Sequence, residues 1–172
     1  MENIIRKIRT YYPVSDEALK ALVCFFERLI FPPKTIIIHA GKLDRKVYFI
    51  EKGITRSYVL HSGKQITAWF SKEGDAACGS WDLYRNKAGF EYVETLEETT
   101  AYSVSIRKLN ELYRSYIDLA NWMRVLQQEN FFRLQDIHIR RLNWSAQERY
   151  EHLTKECPEL FQRVNLGYIA SF

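Results

Sequence analysis

Cysteine is scarce and unpaired in this chain. Cys24, Cys78 and Cys157 are odd in number and far apart, which excludes a secreted disulfide framework and the paired-cysteine spacings of zinc sites. Long apolar runs are missing as well. No stretch approaches the roughly 20 residues of a membrane-spanning helix, and Met1-Glu-Asn-Ile-Ile-Arg-Lys7 lacks the unbroken apolar core of a signal peptide. The expectation is a reduced, soluble, cytoplasmic protein with no membrane partner. The net charge of +4 is mild; it permits a nucleic-acid partner without requiring one. The most informative absence is of glycine. Six of the seven glycines lie between Ala40 and Gly89, and none lies between Phe90 and Leu166.

That asymmetry divides the 172 residues into a glycine-turned β part and an uninterrupted helical part, and 47% hydrophobic residues are enough for a proper core. Ser15 caps a predicted helix with Asp16 and Glu17 in its first turn and Val14 stapled onto Leu19. Leu19, Leu22, Val23, Phe26, Leu29 and Ile30 recur at helical spacing until Pro32-Pro33 stops the helix. Residues 2–12 form a shorter leading helix. From Thr35 the period becomes two. Thr35–Ile38, Val47–Ile50, Thr55–Leu60, Gln65–Phe70, Tyr92–Leu96 and Thr99–Val104 read as strands, and about eight short strands with glycine turns favour a sandwich or jelly roll.

Leu109 and Leu112 mark a short helix, and Tyr116 to Leu142 then runs without Gly or Pro. Such a helix is roughly 40 Å long at about 1.5 Å per residue, more than one face of a small β roll requires. Its stripe of Leu119, Met123, Leu126, Asn130, Leu134 and Ile137 reads either as packing on the chain's own sheet or as a self-associating seam with a polar Asn130. Ser145-Ala-Gln-Glu148 is a capping box for a further helix that Cys157-Pro158 ends. Ile169 and Ala170 look like the inner face of a barely two-turn helix with nothing in this chain to pack against.

The order helix, β roll, long helix, short helices resembles the Crp/Fnr family of bacterial transcription regulators. The likeness is carried by Pro33-Lys-Thr-Ile-Ile-Ile-His-Ala-Gly41, Val47-Tyr-Phe-Ile-Glu-Lys-Gly53 and Phe70-Ser-Lys-Glu-Gly-Asp75, and downstream by Gln147-Glu-Arg-Tyr-Glu-His-Leu153 and Leu166-Gly-Tyr-Ile-Ala-Ser171. It implies an α+β, mainly β fold: an antiparallel jelly roll (double-stranded β-helix) with N-terminal helices at 1–115, a long dimerisation helix at 116–142, and the start of a winged helix-turn-helix domain at 143–172. The recognition helix that would follow is absent, so DNA binding is expected of the complete protein and to be weak or lost in this chain.

The resemblance also exposes a departure. Family members that bind cyclic nucleotides open a short helix with Gly-Glu and place an arginine beside the cyclic phosphate. Here the helix opens Gly79-Ser80-Trp81, the arginine region reads Gly89-Phe-Glu-Tyr-Val93, and Glu91 would repel an anion. Arg85 and Lys87 lie only in the intervening loop. The expected ligand is therefore an unidentified small molecule rather than cyclic AMP, with Trp69, Gly79, Ser80, Trp81 and Tyr92 as candidate lining residues. Arg140, Arg141 and Arg149 read either as a solvated helix face or as DNA-backbone contacts.

No catalytic residue, metal site or cofactor is expected. Cys24 alone cannot supply the clustered cysteines of an iron–sulfur sensor. His39, His61, His138 and His152 are too scattered for a haem ligand set or a cupin metal site. There is no Gly-x-Ser-x-Gly elbow and no phosphate-binding Gly-Lys-Ser/Thr loop. The competing reading is a small-molecule-binding or structural homodimer module that acts through protein partners without DNA contact.

Overall fold

The computed structural model describes residues 1–172. Eight strands form two antiparallel four-stranded sheets. The first runs β1 (Glu27–Phe31), β8 (Thr99–Ser105), β3 (Lys46–Lys52), β6 (Ala76–Ala77), and the second β2 (Ile36–Ile38), β7 (Tyr92–Thr95), β4 (Thr55–His61), β5 (Lys64–Ser71). Alternation along β3 separates two cores. Tyr48 and Ile50 point into the roll with Ile38, Val93 and Ala101, while Val47 and Phe49 point out under the helices. The jelly-roll expectation is met.

Two glycines bring turns into close contact. At Gly53 (φ 109°) a Cβ would stand 2.5 Å from the Thr99 hydroxyl, and at Gly74 (φ 86°) it would stand 2.7 Å from Lys7 Cβ. Each position combines a left-handed backbone with no room for a side chain.

The helices of the N-terminal half cover the outer face of the first sheet. α1 (Glu2–Tyr11) buries Ile4 and Ile8, and Glu51 of β3 caps its start, pairing at 2.8 Å with the Met1 amino group. α2 (Asp16–Val23) is capped by Ser15 as its sequence suggests, but it does not continue to the prolines. Residues 27–31 are strand β1, paired in register with Ser103–Thr99 of β8. The apolar spacing fits both periods there. A sheet edge distant in sequence decides the matter, with Leu29 and Phe31 turned inward and Ile30 exposed.

α4 (Ile106–Ser115) leads into α5, which spans Ile117–Asn143, 27 residues. The first half of α5 lies on the chain's own roll: Leu119, Trp122 and Met123 are buried in the same cluster as Phe49 and Val104. The second half projects, with Phe131, Phe132, Ile139 and Leu142 largely exposed. Leu119, Met123 and Leu126 therefore face the roll and not an outer seam.

The C-terminal segment folds as α6 (Ala146–Glu156), α7 (Pro158–Arg163) and α8 (Leu166–Ala170), with the Ser145–Glu148 capping box formed. It returns to the roll and docks on the outer face of the second sheet. Contrary to expectation, Ile169 is buried, packed with Leu160, Val164, Phe70 and Ile54. Polar contacts reinforce the docking. Thr67 donates to the Tyr168 carbonyl at 3.0 Å, Lys72 pairs with Glu159, and Arg163 bridges Glu73 (2.6 Å) and Glu97. Arg56 is 1% exposed, held between the rings of Tyr58 and Tyr168 (4.4 and 3.6 Å to their centroids) and bonded to Gln65 and Glu94.

A bulge on β5 allows one strand to serve two neighbours. Ser57 pairs with Trp69 and Tyr58 with Thr67, which leaves Ala68 as the surplus residue. Thr67 and Phe70 thereby meet the C-terminal helices on the outer face, while Trp69 and Ser71 line a cavity on the inner one.

Candidate effector cavity

A cavity of ≈ 240 Å³ lies between the inner face of β5, the helix α3 (Ser80–Arg85) and α5 from Trp122 to Leu134. This is slightly below the range of about 300–1,000 Å³ usual for small-molecule pockets. Phe49, Trp69, Leu83, Trp122 and Met123 supply apolar walls, and Ser57, Ser71, Ser80, Asn130 and Glu91 supply polar groups. α3 is anchored from behind: the buried Asp82 carboxylate accepts from the Asp44 and Arg45 N–H groups at 2.8 and 2.5 Å.

The electrostatics at the mouth of α3 are the reverse of an anion cradle. Glu91 Oε1 accepts from the Ser80 N–H at 3.2 Å, so a carboxylate of the protein itself already occupies the donor at the helix start. Burial raises the Glu91 pKa above the usual carboxylate range, and the Ser80 N–H only partly offsets this. The one cation that closes over the cavity from α5 is Arg133, whose guanidinium lies 4.4 Å from the centroid of the Trp69 ring. Nearby, Cys78 is half-buried, and desolvation pushes its thiol up to about 12.

The candidate residues fare unequally. Trp69 and Ser80 line the cavity, and Gly79 is the N-cap of α3 behind it. Trp81 turns outward, 42% exposed, against the edge of Phe90. Tyr92 lies on the opposite face of its sheet, stacked on Tyr58 at 5.2 Å, because the register sets Tyr92 opposite Tyr58 and Val93 opposite Ser57. Asn130 and Leu134 of the α5 stripe reach the cavity. Arg133 was missed as a lining residue, although it lies between Asn130 and Ile137 at helical spacing. Ile137, Arg140, Arg141 and Arg149 meet elsewhere, in a recess between α5 and α6.

Two antiparallel sheets form a roll, and a short helix and a long helix close one cavity against it. The chain belongs to the cyclic nucleotide-binding domain family, whose profile matches residues 28–116, more than half of its length. Among solved structures it is similar to the catabolite activator protein of Thermus thermophilus, at 18% identity and TM-score 0.66, with 79% of this chain and 63% of that chain covered. It is also similar to the c-di-GMP-responsive global regulator CLP of Xanthomonas campestris, at 12% identity and TM-score 0.69 over 84% of this chain and 74% of that one. A cyclic nucleotide-binding domain from Methylobacillus flagellatus aligns at 15% identity and TM-score 0.71 over 84% and 83%. At these identities the likeness speaks to the fold. This chain thus spans less than two thirds of the Thermus protein. A search of curated protein sequences finds no match. No helix is long and apolar enough to cross a membrane.

Proposed function

We propose that the chain is the effector-sensing and dimerising part of a Crp/Fnr-like transcription regulator that does not respond to cyclic AMP. One observation carries the ligand reading. The Glu91 carboxylate holds the Ser80 N–H at the start of α3, and a cyclic phosphate arriving there would meet that negative charge, while the arginine of the cavity, Arg133, lies over the Trp69 ring. The effector is a compact, partly apolar molecule that leaves Glu91 in place. It stacks near Trp69 and engages Arg133, and so acts on α5 directly.

A second copy packs on the projecting half of α5 through Phe131, Phe132, Ile139 and Leu142, which lie on the side away from the roll. Effector binding then favours one arrangement of the two long helices over another. Residues 143–172 are read as the opening of a helix-turn-helix domain, and DNA is a partner of the longer protein.

Isothermal titration with cyclic AMP and cyclic GMP tests the ligand reading: no saturable heat is expected for either. Micromolar affinity for one of them, abolished by Trp69→Ala, would overturn it. Glu91→Arg is expected to create weak cyclic-nucleotide binding where the wild type has none.

A further inference from the structure

The elbow between α5 and α6 holds a second concavity, ≈ 350 Å³, walled by α5, α6 and the end of α8. Its lining is rich in cations. Arg140 is already paired with Asp136 and lies against Trp144, but Arg141 and Arg149 share no carboxylate partner. Arg141 gives one donor to the Phe172 carbonyl and retains others. Arg149 Nε and His152 Nε2 are buried without a hydrogen-bond partner, and both residues line the recess. A buried polar atom left unpaired is costly, and here two of them belong to residues that line one recess. Burial, and after it the neighbouring Arg149, lowers the pKa of Arg141, as two like charges held together without a counter-ion would. Glu156 also lines the recess and is the one acid there that Arg140 does not neutralise.

We propose that this recess is a second ligand site, which takes the phosphate group of a small molecule between Arg141 and Arg149. Guanidinium forks match phosphate oxygens, and a bridging anion relieves their mutual repulsion. The donors sit within a concave space between helices, a shape suited to a compact ligand rather than to the convex backbone of a duplex. Bound there, the phosphate ties α5 to α6 and fixes the angle at which the C-terminal helices leave the long helix. Arg133 lines both this recess and the β-roll cavity, where it lies over Trp69, but the phosphate is held by Arg141 and Arg149, which line the recess alone.

The test is isothermal titration of the whole chain with inorganic phosphate and with pyrophosphate, chloride holding the ionic strength constant. Saturable binding is expected, weakened about tenfold or more in Arg149→Gln and Arg141→Gln, which each lose charge-assisted hydrogen bonds. Lys64→Gln, an exposed cation at the β4–β5 tip outside both cavities, should bind as the wild type does. Circular dichroism without added anion reports whether each variant folds. If Arg149→Gln does not fold, Arg149→Lys keeps the charge but loses the fork, and intermediate affinity is expected. Absence of saturable binding, or equal binding in the arginine variants, overturns the proposal. Displacement of pyrophosphate by a short duplex DNA would overturn the small-molecule assignment and give the recess to a nucleic-acid backbone.

Discussion

Arg163→Gln removes the centre of the ion network that fastens the C-terminal helices to the roll. In the wild type Arg163 reaches Glu73 at the β5–β6 corner at 2.6 Å and Glu97 between β7 and β8. Burial works against the charge on Glu73, but the Arg163 guanidinium and the Gly53 N–H outweigh it and bring its pKa from 4.5 to about 2. At face value that depression is about 3 kcal/mol. The two side chains are 26% and 29% exposed, so solvent screening reduces the expected contribution to about 1–2 kcal/mol. The folded-state pKa lies below the unfolded one. The unfolded chain therefore binds more protons in the interval from 4.5 down to about 2, and stability falls as pH falls through it. Urea unfolding followed by fluorescence should show Arg163→Gln less stable by about 1–2 kcal/mol at neutral pH, the gap narrowing toward about pH 2.5. A gap that stays constant across the interval, or no gap at neutral pH, would refute the ion-pair account of the docking.

Three further outcomes are expected. Arg56→Ala strands the Glu94 carboxylate and empties the slot between Tyr58 and Tyr168, at a cost of about 3–5 kcal/mol. Arg56→Met, which fills the slot without charge, should cost far less by the same denaturation assay. Phe131→Glu combined with Phe132→Glu is expected to convert a dimer into a monomer by light scattering, leaving the far-ultraviolet spectrum unchanged; an unaltered mass removes that face from the dimer interface. In the native protein a thiol reagent should label exposed Cys24 first and spare Cys78, whose thiol burial raises to about 12. Equal labelling of both would show that the wall of the β-roll cavity opens freely.

How much of this was legible beforehand depended on the distance of the deciding contact. The Ser145–Glu148 box and the Ser15 cap are closed within three residues, and both formed as read. β1 was misread as helix because its partner, β8, lies some 70 residues away and only that pairing chooses between two fitting periods. Tyr92 was placed among the candidate lining residues with Trp69 and Trp81, but alternation alone does not say whether Tyr92 or Val93 faces inward; register against β4 does. α5 carries apolar residues on both sides, Leu119 and Met123 on one and Phe131 and Phe132 on the other. A stripe read from sequence therefore had no means of telling the roll from a partner. Arg133 carried a usable signal, since it lies one turn from Asn130 on the same helix.

The surplus residue in β5 limits what can change in this hairpin. Thr67 and Phe70 grip the C-terminal helices and Trp69 between them walls the cavity only because Ala68 shifts the phase of the strand by one. Flattening the bulge with Ala68 still in the strand would put Thr67 and Trp69 on one face and force a choice, either swinging the indole out of the binding wall or withdrawing the threonine from α8. Sensing and docking are thus spelled by the same four letters of sequence, and neither can drift without the other.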